Sequence, residues 1–123
     1  MKKIKLAISG CMGRMGQQLI RSANKDKSLK IVSLTENFLI NKRIGLIKPE
    51  LNTERAFNKS NIIIDFTVPK CTLEILKIAV KQKKKVVIGT TGFTKKEEKL
   101  IKKFSKRIPI LKAGNMSLGV NLL

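Results

Sequence analysis

The chain has no histidine, no tyrosine and no tryptophan. Without histidine it lacks the usual proton shuttle at neutral pH and the commonest metal ligand. Acid–base chemistry carried by this chain alone must do without its best tool. Cysteine is scarce as well. Cys11 and Cys71 lie far apart and outside any CxxC spacing, which points to neither a disulfide framework nor a metal site. No apolar run approaches the length needed to span a bilayer. The basic start "MKKIKLAISG" carries an apolar part of about five residues, too short for a secretory signal. The expectation is a cytoplasmic protein with no membrane partner.

Acidic residues are also few, 8 against 27 basic ones, for a net charge of +19. Such a balance can mark a nucleic-acid binder. However, 22 of the 27 basic residues are lysines, spread over solvent faces of the expected helices, and arginine is the better reader of bases and phosphates. Stacking on single strands would rest on five phenylalanines alone. A solvated lysine-rich surface is the simpler reading, with a positive field that attracts small anionic ligands.

With 123 residues and 42% hydrophobic content, the chain suits one folded domain. Its segments alternate in type, without repeats or linkers. Ile4–Ser9 reads as a buried strand, and Arg14 to Lys25 as a helix with Met15, Leu19, Ile20 and Ala23 on one face. Lys30–Thr35 is a second strand. Residues 36 to 60 read as irregular, with a helical turn conceivable over Glu54 to Asn58. Asn61–Thr67 is a third strand, followed by a helix from Pro69 to about Lys83 with Leu73, Leu76, Ala79 and Val80 inward. Lys85–Gly89 is a fourth strand. Thr94 and Glu97 have capping-box spacing and start a helix to about Lys106, with Leu100, Ile101 and Phe104 toward the core. Ile108–Leu111 is a short fifth strand, and Pro109 places it at an edge or a strand start. This order predicts an α/β fold of the Rossmann type, a doubly wound parallel sheet.

In such sheets ligands bind at the carboxyl ends of the strands. Those ends are Ser9–Arg14, Thr35–Asn37, Phe66–Pro69, Gly89–Phe93 and Ala113–Ser117, all with small, polar or glycine residues. After the first strand comes Gly10-x-x-Gly13-x-x-Gly16 and then a helix, the setting of a dinucleotide-binding turn. Gly10 allows the turn, Gly13 lets backbone approach a pyrophosphate, and Gly16 lets the helix sit close. The same spacing also fits a plain strand–helix connection. Glu36 ends the second strand, where a carboxylate can accept the hydroxyls of an adenosine ribose; alternatively it is a solvated surface residue. It would repel a 2′-phosphate and Asn37 offers no cation, so NADH is favoured over NADPH, with Lys42 able to compensate. "GTTGF" (Gly89–Phe93) suits a nicotinamide or ribose, or forms a turn before the next helix. Asp65 is read as an acceptor of backbone or threonine hydrogen bonds rather than a catalytic base.

"GCMGRMG", "IDFT" with Pro69 and Thr72, "VVIGTTGF" and "AGNMSLGVN" together resemble the N-terminal half of the 4-hydroxy-tetrahydrodipicolinate reductase (dihydrodipicolinate reductase) family. The resemblance covers essentially the whole chain. It implies an NAD(P)H-binding domain, with nucleotide contacts at Gly10, Cys11, Met12, Gly13, Arg14 and Met15, at Glu36, at Gly89, Thr90 and Thr91, and at Ala113, Gly114, Asn115 and Met116. It implies hydride transfer to a cyclic small-molecule substrate, giving tetrahydrodipicolinate in diaminopimelate and lysine biosynthesis. In the family a C-terminal domain holds the substrate and catalytic groups and builds a homotetramer. The expectation is therefore a dinucleotide-binding domain over residues 1–123, truncated before that domain, that binds cofactor without completing the reaction. No catalytic or metal-binding residue is expected in it. The alternatives are a basic nucleic-acid-binding module and a non-catalytic nucleotide sensor on the same scaffold.

Overall fold

The structure, a computed structural model, describes residues 2–113. In chain order its elements are β1 (Ile4–Ser9), α1 (Arg14–Asn24), β2 (Leu29–Glu36), β3 (Glu50–Leu51), α2 (Glu54–Phe57), β4 (Ile62–Asp65), α3 (Pro69–Gln82), β5 (Lys85–Ile88), α4 (Lys95–Phe104) and β6 (Ile110–Lys112). The strands form one sheet in the order β3-β2-β1-β4-β5-β6, with every neighbouring pair parallel. The chain winds outward from β1 through β2 to β3, then returns to lay β4 on the other side of β1. This Rossmann-like order places the topological switch between β1 and β4, where the chain leaving the two strands runs to opposite faces of the sheet, α1 on one and α3 on the other.

Alternate side chains of each strand serve opposite faces, which makes the sheet buried on both sides. Leu6 and Ile8 of β1, Ile64 of β4 and Val87 of β5 pack with Leu19, Ile20 and Ala23 of α1. Ala7, Ile63, Val86 and Ile88 face the other way, onto Phe57 of α2, Ile75, Leu76 and Ala79 of α3 and Ile101 of α4. Pro69 occupies the first turn of α3, where its missing N–H costs nothing. Thr94 and Glu97 make both bonds of the capping box: Thr94 Oγ1 accepts the Glu97 N–H at 3.1 Å, and the Glu97 carboxylate accepts the Thr94 N–H at 2.8 Å.

The structure refines the sequence-based expectation at several elements. The segment over 36–60 contains a strand, β3, whose two residues pair with Thr35 and Glu36. The helical turn after it is α2, capped by Thr53 Oγ1 accepting the Ala56 N–H. In α4 only Ile101 is buried; Leu100 is exposed, because α4 meets the core along a single row contacting α3. In α3 the buried residues are Cys71, Thr72, Ile75, Leu76 and Ala79, and Leu73 and Val80 flank that stripe half-buried. The expected fifth strand, Ile108–Leu111, forms two residues later as edge strand β6, with Pro109 just before it.

Candidate functional site

The three glycines of the first turn lack side chains for three different reasons. Gly10 has φ +84°, and a Cβ there would lie 2.2 Å from the carbonyl oxygen of Phe66. Its bareness brings the loops after β1 and β4 together at the switch point. A Cβ on Gly16 would lie 2.2 Å from the carbonyl oxygen of Gly10, so Gly16 seats α1 against its own turn. Gly13 is different. Its φ is −73°, which any residue adopts, and a Cβ would come no closer than 3.4 Å to Gly10 O. Nothing inside the fold requires glycine at Gly13, which leaves its outer side free for a close approach from solvent.

The backbone donors of this turn divide in the same way. Gly10 and Cys11 N–H both donate to Thr35 O, at 2.9 and 3.2 Å, and Gly13 N–H donates to Gly10 O at 3.1 Å. Met12 N–H donates to Glu36 Oε2 at 2.9 Å. The N–H groups of Arg14, Met15 and Gly16, the first turn of α1, have no acceptor among the described residues. No acidic residue occupies that turn. Donors without acceptors among the described residues, the positive end of a helix dipole and an open glycine are together the arrangement that favours an anion.

That helix start opens onto a cleft of about 310 Å³ lined by Gly13, Arg14, Met15 and Gly16, by Phe66–Pro69, and by Gly89, Thr90 and Thr91. The structure thus brings the glycine turn and the Gly89–Thr91 segment to one site. Gly89 is bare because the ring of Phe66 rests on it: a Cβ would lie 2.1 Å from that ring. Thr90 is buried, and its hydroxyl faces inward to Asp65 rather than into the cleft. Thr91 is exposed at the rim. Ala113 extends β6 by donating to Ile88 O at 2.9 Å, one residue before Gly89. Gly114, Asn115 and Met116 lie outside the described residues.

Glu36 is not a solvated surface residue. It is buried, and its carboxylate accepts both the Met12 N–H and, at 3.3 Å, its own neighbour's Asn37 N–H. Cys11, fully buried beneath the turn, contributes packing: burial first, and the Glu36 carboxylate second, push its thiol up to about 11. On the other side of Met12 a smaller pocket of about 180 Å³ is lined by Met12, Gln17, Ile20, Arg21, Lys42 and Ile44. Lys42, considered from sequence as a cation that could compensate for Asn37, lines this pocket together with Arg21.

Residues 66–69 belong to the cleft wall although only the strand-end rule pointed to them. Asn52 escaped sequence reasoning altogether: its Oδ1 accepts the hydroxyls of Ser9 and Thr35, fixing the ends of β1 and β2. Asp65, at the end of β4, is fully buried and ringed by threonines. Burial raises its carboxyl above the usual carboxylate value, and hydrogen bonds from Thr67, Thr72 and Thr90 oppose that rise. Among the described residues no group of histidine, cysteine, aspartate and glutamate side chains is placed to hold a metal, and no helix is long and apolar enough to cross a membrane.

A family model described as dihydrodipicolinate reductase, N-terminus, matches residues 4–116. The 4-hydroxy-tetrahydrodipicolinate reductase of Pelagibacter ubique (strain HTCC1062) is 71% identical over 123 residues, covering 100% of this chain and 48% of that protein. The protein of the same name from Buchnera aphidicola subsp. Acyrthosiphon pisum (strain Tuc7) is 43% identical, over 99% of this chain and 49% of its own length. Among solved structures, a dipicolinate-bound dihydrodipicolinate reductase from Paenisporosarcina sp. TG-14 shares the fold with a TM-score of 0.76 and 24% identity, over 98% of this chain and 50% of that one. The chain spans about half the length of the curated relatives it matches. It belongs to the dihydrodipicolinate reductase family and corresponds to the N-terminal part of its members.

Proposed function

We propose that residues 1–123 form a dinucleotide-binding domain that holds NAD(P)H across the carboxyl ends of β1, β4 and β5. The observation that carries this reading is the start of α1, with three N–H groups that have no acceptor among the described residues beside Gly13, where none of those residues requires glycine. A pyrophosphate at that point accepts those donors. Glu36, at the end of the neighbouring strand β2, has a second carboxylate oxygen, Oε1, that among the described residues accepts only a long bond from Asn37 N–H and is able to accept a ribose hydroxyl. The rest of the cofactor lies along Gly89–Thr91, toward Ala113. Gly114, Asn115 and Met116 continue that wall in this proposal.

The bound cofactor supplies a hydride, which in this family's named reaction goes to the cyclic dipicolinate precursor and yields tetrahydrodipicolinate, a step toward diaminopimelate and lysine. This chain's part is to bind and orient the nucleotide. We assign no proton transfer to it, since its one carboxyl under the cleft, Asp65, is already occupied by donors. Substrate, proton-transfer groups and the surfaces of a homotetramer belong to the C-terminal half of a full-length reductase. We place the chain in the cytoplasm, with the small-molecule pool it serves.

NADH is the favoured nucleotide. The buried Glu36 carboxylate opposes a 2′-phosphate by like charge, and Asn37 supplies no compensating cation. Titration of the chain with NADH and with NADPH, followed by nicotinamide fluorescence, tests the reading. Saturable binding of both, tighter for NADH, is expected. No binding of either refutes it. Titration with duplex DNA at two salt concentrations tests the nucleic-acid alternative, whose affinity would fall steeply with salt.

A further inference from the structure

The side chain of Asp65 joins three separate segments around the cleft. Its Oδ1 accepts the Thr67 N–H at 3.1 Å and the Thr67 hydroxyl. Its Oδ2 accepts the hydroxyl of Thr72 and, at 3.1 Å, that of Thr90. Thr90 Oγ1 in turn accepts the Thr67 N–H at 3.0 Å, which closes the circuit. A carboxylate has about four acceptor positions, and this arrangement fills them. Asp65 ends β4, Thr67 lies in the loop to α3, Thr72 is in the first turns of α3, and Thr90 follows β5. Thr67 and Thr90 line the cleft itself, while Asp65 and Thr72 lie fully buried beneath it.

We propose that Asp65 is the positioning residue of this cleft: by taking the hydroxyls of Thr67, Thr72 and Thr90 it fixes the spacing between the loop after β4 and the loop after β5. This rests on the nucleotide reading above and adds a residue that the glycine turn and Glu36 do not reveal. Three independent features support it. First, the acceptor is saturated and faces away from solvent, so it is not free for acid–base work. Secondly, its donors come from three elements that no backbone ladder ties together at this level: β4 and β5 pair through Asp65 and Ile88, and the last rung, Gly89 N–H to Asp65 O at 2.8 Å, stops at the cleft floor. Among the described residues, the hydrogen bonds that join the two loops beyond that rung belong to the Asp65 circuit, and the Phe66 ring rests on Gly89. Thirdly, a fully buried carboxyl is costly unless satisfied, so the fold keeps it for these bonds.

Thr72 gives the decisive variant, because it donates to Asp65 but does not line the cleft. Thr72→Val keeps the side-chain shape and removes the donor. In this chain we expect it to weaken NADH binding about threefold to tenfold and to speed hydrogen exchange at the amides of Thr67 and Thr91. Thr72→Ser restores the hydroxyl and should bring affinity back to within about twofold of wild type. Asp65→Ala should do more, but it also lowers stability, so each affinity is measured at low temperature on protein shown folded by circular dichroism. Wild-type NADH affinity in folded Thr72→Val, with unchanged exchange at Thr67, overturns the positioning role while leaving the nucleotide reading intact. Equal loss in Thr72→Val and Thr72→Ser also overturns it, since the hydroxyl would then not matter. Failure of the wild-type chain to bind either nucleotide overturns the nucleotide reading first, and the role of Asp65 in it as a consequence.

Discussion

Glu36 Oε2 accepts the N–H of Met12 at 2.9 Å, across twenty-four residues of sequence. The bond joins the end of β2 to the middle of the glycine turn, so one carboxylate both shapes the phosphate-binding loop and stands ready for a ribose. Removing it should therefore hurt twice. Glu36→Ala is expected to weaken NADH binding about tenfold or more, in line with the roughly 1.5–3 kcal/mol of a charged hydrogen bond. Glu36→Gln keeps an acceptor for Met12 and should lose less, while narrowing the preference for NADH because the charge is gone. Fluorescence titration of the three proteins decides this; equal affinity in wild type and Glu36→Ala would remove the ribose role.

The glycine turn offers a sharper separation of fold from function. Gly10→Ala and Gly16→Ala each place a Cβ about 2.2 Å from a backbone carbonyl oxygen, which cannot move like a side-chain tip. Both should lower stability by about 2 kcal/mol or more, visible as a fall in the urea midpoint. Gly13→Val meets nothing closer than 3.4 Å at its Cβ and sits at an ordinary φ. It should fold with a near-normal midpoint and yet fail to bind NADH. If Gly13→Val binds normally, the turn serves packing alone.

What the sequence revealed of this site follows from how local each feature is. The strand, the glycine spacing and the helix start are written in seventeen consecutive residues, Ile4 to Ile20, and were legible there. The position of Glu36 at a strand end was legible from the same pattern. Its burial and its bond to Met12 were not, because they arise only when β2 lies against β1 in register, Thr35 beside Ser9. The two-residue strand β3 has no pattern of its own; pairing with Thr35 and Glu36 makes it a strand. Leu100 carries the right period for a buried face, but α4 packs mainly on α3 and buries Ile101 alone, leaving Leu100 exposed. The threonine ring around Asp65 draws on positions 67, 72 and 90, which become neighbours only through the β4–α3–β5 crossover.

Nucleotide preference should respond to charge beside Glu36. Asn37 is exposed at the end of β2 and carries no charge. Asn37→Arg adds a planar cation suited to a phosphate, and should raise the affinity for NADPH relative to NADH by about tenfold. Lys42 and Arg21 are cations that line the pocket beyond Met12. Lys42→Ala should weaken NADPH more than NADH. The ratio of the two dissociation constants is the measurement, since it cancels changes in the shared pyrophosphate site. An unchanged ratio in Asn37→Arg would sink the charge account of the preference.

The last prediction concerns the thiol under the turn. Cys11 is fully buried and packed among Leu6, Ile8 and Leu19, and its thiol is pushed up to about 11 from an ordinary 9.0. At pH 8 the folded chain then holds roughly one Cys11 in a thousand as thiolate, against roughly one in ten when unfolded. Iodoacetamide at pH 8 should leave Cys11 unmodified in the native protein and label it fully in urea, with peptide mass spectrometry distinguishing it from Cys71. The same shift has a sign for stability. The folded state holds this proton more tightly than the unfolded state, so the contribution is complete below pH 9 and declines as pH rises through 9 toward 11. The urea midpoint of wild type minus that of Cys11→Ala should accordingly fall between pH 8 and pH 10.5. Lysine titration affects both proteins alike and drops out of the difference. Rapid labelling of native Cys11 at pH 8 would show that the turn opens to solvent, and would displace the picture of a thiol sealed beneath the glycine turn.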